Sequence, residues 1–116
     1  MRHIEAGGWT LEIPEFHVER TRGLLGRTQL APTGALVLAR CSSVHTIGMR
    51  FPIDVVAFDR DWAFVDVRTL EPGRIAWPRK GVRNVIETAA GRGQAFTEAL
   101  DGRTIREALG SGPRRT

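Results

Sequence analysis

One short stretch limits the folds open to this chain more than any other. Ile53 to Phe58 reads Ile-Asp-Val-Val-Ala-Phe, apolar everywhere but at Asp54. A strand with one wet face alternates; one that is apolar on both sides belongs inside a sheet with material packed on each face. Just ahead of it, Cys41, Ser42, Ser43, His45 and Thr46 bring small polar and reactive groups to the mouth of that strand. Polar groups concentrated where a buried strand begins are where a small domain can build a site.

The rest of the chain supplies more short strands than helices. Trp9 to Ile13 places Trp9, Leu11 and Ile13 on one face, the period-2 pattern of a half-buried strand, and Pro14 ends it. Glu19 to Gly26 reads as a short helix, weakened by Gly23 and closed by Gly26. Ala35 to Ala39 is a second continuous apolar run. Ala63 to Leu70 alternates, with Ala63, Val65 and Val67 inward, and Asp59-Arg60-Asp61 makes the hairpin turn before it. Glu71 to Gly81 is a loop around Trp77, and Asn84 to Thr88 is a further strand. Gln94 to Leu100 reads as a short helix, and Thr104 to Leu109 as another, with Glu107 in capping-box spacing from Thr104. These elements predict an α+β, mainly β domain over residues 1–110, a small barrel-like antiparallel or mixed sheet with one or two short helices, and a flexible tail over 111–116.

Composition removes several functional classes. At 116 residues there is room for one core. No apolar run nears the ~20 residues of a membrane span, and no signal-peptide core follows Met1, so the expected location is cytoplasmic. A single cysteine, Cys41, rules out an internal disulfide or a cysteine zinc cage. The net charge of +4 rests on sixteen arginines and Lys80. That excess aids solubility and attracts anions, but it is spread along the chain, where a dedicated nucleic-acid binder concentrates it.

The chain resembles the DUF192 (UPF0127) family of small uncharacterised bacterial and archaeal proteins. The likeness rests on Arg20-Thr21-Arg22-Gly23-Leu24-Leu25-Gly26-Arg27, on Gly34-Ala35-Leu36-Val37-Leu38, on Cys41 through Val56, and on Val85-Ile86-Glu87 with Ala90-Gly91. It departs where many members carry an aromatic-Met-Lys-Asn tetrad; here the segment reads His45-Thr46-Ile47-Gly48-Met49-Arg50. Trp62 also stands where many members have glycine after the hairpin aspartate. The resemblance implies a compact barrel-like domain and brings no assigned activity.

Candidate residues fall into two groups. In the first, Asp54 in its apolar strand needs a cation or several donors, which His45, Thr46, Arg50 or nearby backbone amides can supply. Ser43, His45, Thr46, Arg50 and Asp54 then line a pocket for a small polar or anionic ligand. Cys41 and His45 are ~13 Å apart if extended, out of reach for a thiolate–imidazole pair. The second group is the loop Arg74, Trp77, Arg79, Lys80 and Arg83, with cations for an anion and an indole for stacking. The leading expectation is a non-enzymatic binding module. The alternatives are a hydrolase or isomerase using His45 and Asp54 as an acid–base pair, and a nucleic-acid or protein adaptor working through residues 74–83. No phosphate loop, nucleophile elbow or metal motif is present, so neither a metal nor a cofactor is expected.

Overall fold

Strand β5 (Ile53–Phe58) is buried at every position, as its composition requires. In this computed structural model, which describes residues 1–110 apart from the side chains of His17 and Thr21, β5 lies in a six-stranded mixed sheet. The expected tail over 111–116 lies outside the described residues. The other strands of the sheet are β1 (Arg2–Ala6), β2 (Trp9–Ile13), β3 (Gly34–Leu38), β6 (Phe64–Leu70) and β8 (Asn84–Ala89), in the order β1-β2-β3-β8-β5-β6. All neighbours are antiparallel except β2 and β3. Two further strands, β4 (Val44–His45) and β7 (Ile75–Ala76), form a separate small sheet.

Side-chain alternation sends the two faces of the large sheet into different cores. On one face Leu11, Val37, Val56, Phe58 and Ile86 meet Phe96, Leu100 and Ile105. These last come from α2 (Gly93–Ala99), α3 (Gly102–Leu109) and the link between them. Trp9 stands edge-on to Phe96 at 5.1 Å between ring centres. Burying a phenyl ring of this kind contributes about 2–3 kcal/mol. On the other face Leu36, Leu38, Ile53, Val55, Ala57 and Val85 are covered by Leu24, Leu30, Met49 and Val82. Among the described residues no long helix lies there. The cover is α1 (His17–Arg22) with the turns after it, the 44–51 segment and the approach to β8.

The α+β, mainly β expectation holds, but the sheet does not close into a barrel. β1 and β6 are its two edges and are not paired to each other. Among the described residues three helices form, where one or two were expected. β1 was not expected; the Gly7-Gly8 pair, both at positive φ, folds it back onto β2 with Arg2 opposite Ile13. Helix α1 begins before Glu19 because that carboxylate reaches back to the Glu15 and Phe16 amides at 3.1 and 3.2 Å, and it ends at Gly23. At the edge, β6 leaves Val65 42% exposed, while Val67 packs against the core under the helices. Asp101 rather than Thr104 caps α3, its carboxylate accepting the Thr104 N–H at 2.8 Å. The β5–β6 turn places Trp62 at φ 64°, where glycine is usual. The ring compensates by packing 5.4 Å from Phe58 in the core.

Candidate functional site

Among the described residues two buried carboxylates lie in the interior strands, and the fold treats them differently. Asp54 on β5 pairs across the ladder with Thr69 and Thr88 and shares the face of Val56 and Phe58. Its Oδ1 accepts the Thr69 hydroxyl at 2.7 Å, and its Oδ2 accepts the Gly93 N–H at 2.9 Å. Asp54 therefore ties the first turn of α2 to the sheet. Gly93 is required there: a Cβ would stand 2.7 Å from Val67 Cγ1 and 3.0 Å from Asp54 Cβ.

Glu87 on β8 points to the opposite face, with Val85, and its cross-strand neighbours are Leu36 and Val55. The side chain is only 4% exposed. Among the described side chains none donates a hydrogen bond to it. Burial pushes its pKa up to about 7, and the Arg27 charge only partly opposes that. A carboxylate placed between two apolar side chains escapes the cost of an unpaired buried charge by keeping its proton.

Glu87 forms part of the wall of a cavity of about 280 Å³ between the turn after α1 and strand β4. Leu24, Leu38 and Met49 give it apolar walls, and Arg22, Ser43, His45 and Cys41 complete it. Arg20 borders it too, but its guanidinium donates to the Ala39 and Arg40 carbonyls and so fastens α1 to the end of β3. The Cys41 thiol donates to the Ser43 carbonyl at 3.0 Å, and burial pushes its pKa up. A thiol so placed is a wall, not an activated nucleophile.

Of the five residues expected to form one pocket, Ser43 and His45 line this cavity. Thr46 is fully buried and structural: its hydroxyl donates to the Glu71 carbonyl at 2.5 Å and accepts the Arg74 N–H at 2.9 Å. It clips the 45–50 segment to the turn that precedes β7. Arg50 is exposed and outside the cavity lining. Asp54 is on the far side of the sheet, bonded to α2 and β6, so no shared cavity brings it to His45 as an acid–base partner. Glu87 was not among the five residues expected to form the pocket, although a signal was present. Val85-Ile86-Glu87-Thr88-Ala89 sets a carboxylate in a buried strand just as Ile53-Asp54-Val55 does.

The arginine-rich loop divides as well. Arg79 forms a two-pronged pair with Asp66 at 2.6 and 2.7 Å, which holds that carboxyl below its ordinary range. Arg74 and Lys80 are exposed and Trp77 is 70% exposed. Arg83 turns instead toward a second cleft beside Arg40. The loop is not free: Ile75 and Ala76 pair with His45 and Val44 and brace the cavity wall. Among the described residues no three His, Cys, Asp or Glu side chains gather as a metal site. No helix there is long and apolar enough to cross a membrane.

The family model DUF192, described as "Uncharacterized ACR, COG1430", matches residues 2–101. The chain belongs to the DUF192 family. Two solved structures share its fold. One is a candidate transcription regulator from Sinorhizobium meliloti 1021, 23% identical, with a TM-score of 0.65 over 87% of this chain and 86% of that one. The other is a protein of unknown function from Novosphingobium aromaticivorans DSM 12444, 15% identical, with a TM-score of 0.62 over 86% of this chain and 78% of that one. Among curated proteins none matches. At these identities the likeness carries the DUF192 fold and no activity.

Proposed function

We propose that this DUF192 chain is a binding module that holds a small polar or anionic ligand in the cavity bordered by Glu87. The observation that carries the reading is the Glu87 carboxyl itself: 4% exposed, on a cavity wall, and flanked by Leu36 and Val55. Buried polar groups are ordinarily satisfied, so a carboxyl in this position is suited to a partner that arrives with the ligand. Its raised pKa lets it donate a hydrogen bond as well as accept one near neutral pH. Arg22 and His45 offer positive or donor groups to an anionic end, and Leu24, Leu38 and Met49 take a short apolar part.

A nucleic-acid role has less behind it. The regulator name belongs to a protein 23% identical to this one. Asp66 has also taken up Arg79, which leaves the loop with few free cations. Scattered cations of that number support only weak, salt-sensitive contact.

The test is a thermal-shift screen of small polar metabolites on the full chain, repeated on Glu87→Leu and His45→Ala. A ligand at ~100 times its dissociation constant adds ~2.7 kcal/mol of stability. A compound that stabilises the parent and fails on Glu87→Leu supports the reading. Ligands whose shifts are unchanged in both variants bind elsewhere and refute it.

A further inference from the structure

A second cleft opens on the other side of Cys41, and its chemistry is different. Arg40, Arg60 and Arg83 line it with Ser42 and Asn84, around a volume of about 370 Å³. These arginines are far apart in sequence, and the sheet joins them. β3 and β5 each run antiparallel to β8, so the ends of β3 and β5 meet the start of β8 at one edge of the molecule. Arg40 follows β3, Arg60 follows β5, and Arg83 directly precedes β8.

Asn84 builds this corner. It is buried, its Oδ1 accepts the Arg40 N–H at 2.9 Å, and its Nδ2 donates to the Asp59 carbonyl at 2.8 Å. The two turns carrying Arg40 and Arg60 are thereby fixed to one side chain. The backbone around Arg83 closes the third side, its N–H donating to Phe58 at 2.9 Å and its carbonyl accepting from Cys41 at 2.8 Å. Arg40 holds φ 54°, an uncommon setting for a residue with a side chain.

The fixed backbone sets three arginine side chains around one cleft, where their like charges favour an anion among them. Among the described residues, none of the three guanidiniums has an ion-pair partner. Arg83 makes only a 3.4 Å contact to the Val82 carbonyl. No carboxylate lines the cleft. Asp59 Oδ1 is taken by the amides of Asp61 and Ala63 in its own turn, and Asp61 borders a groove elsewhere. The site thus has forked donors and the Ser42 hydroxyl, and the Asn84 carbonyl oxygen already accepts the Arg40 N–H.

We propose that this cleft binds the phosphoryl group of a small molecule, a phosphate monoester or a diphosphate. Guanidinium forks match phosphoryl oxygens two at a time, and a dianion or trianion offsets three positive charges. A cationic ligand finds nothing here, and a neutral one leaves the repulsion in place. This reading does not depend on the Glu87 cavity, because the two share only Cys41 in their walls.

Calorimetric titration of the full chain with inorganic phosphate and with pyrophosphate tests it. The expected result is saturable one-site binding, tighter for pyrophosphate and weakened about tenfold or more by Arg40→Gln and by Arg60→Gln. Glu87→Gln should bind pyrophosphate like the parent. Both arginine side chains are exposed and, among the described residues, neither is bonded to another part of the fold, so the variants should keep the parent's melting temperature, which is measured alongside. Absence of saturable binding, affinity that survives both arginine variants, or loss of binding in Glu87→Gln would overturn the proposal. So would an arbitrary DNA single strand that binds more tightly than pyrophosphate, since that would make the corner part of a nucleic-acid surface.

Discussion

Replacing Glu87 with glutamine removes a titrating group from between Leu36 and Val55 while keeping its shape, so its effect on stability must change with pH. The folded carboxyl titrates at about 7 against a reference of 4.5. Below the reference value it is neutral in both folded and unfolded chains and sets no pH dependence. Between the two values the folded protein keeps a proton that the unfolded chain releases, so stability falls as pH rises. Above about 7 the loss is complete. The gap between the two values converts to about 3 kcal/mol. Carboxylates with lowered pKa, such as Asp66 beside Arg79, act in the opposite sense and lose their contribution as pH falls. They are the same in both proteins and cancel in the difference. Urea denaturation of parent and Glu87→Gln from about pH 4 to about pH 8 should show the variant gaining on the parent through that range, by about 3 kcal/mol in all. For a chain of this size that is a shift of roughly 10 °C or more in melting temperature. A difference that stays flat across the range would refute the reasoning, because the carboxyl would then titrate in the fold as it does in water.

Two other substitutions test the far face of the sheet. Asp54→Asn weakens the bonds to Thr69 and Gly93 and should cost roughly 1.5–3 kcal/mol by denaturation, while leaving ligand binding in the Glu87 cavity unchanged. Loss of that binding with little loss of stability would put Asp54 in the wrong place. Gly93→Ala forces a methyl against Val67 and Asp54 and should cost about 1–3 kcal/mol; an unchanged urea midpoint would show that α2 is not seated as described.

How much of this was legible in the sequence depends on how local the cause is. The strands β2 and β5 read directly, because a period of two or an unbroken apolar run acts within five or six residues. The hairpin at Asp59 to Asp61 read for the same reason. Strand β1 was missed because its own pattern is weak; pairing with β2 across the Gly7-Gly8 turn holds it in place. Val65 alternates correctly and is still exposed, since alternation does not say whether a strand lies under the helices or at the edge.

The candidate site divides along the same line. That a polar cluster from Cys41 to Thr46 abuts a buried strand, and that Asp54 must be satisfied inside it, follows from residue types alone. Which face each side chain takes, and what waits there, does not. Asp54 and His45 are nine positions apart, yet they serve opposite sides of the sheet. Glu87 and His45 line one cavity although they come from different sheets, and β8, inserted between β3 and β5, brings Arg40, Arg60 and Arg83 to one cleft. Strand composition set which residues go inside; strand order, which no short window of sequence carries, decided which of them share a cavity.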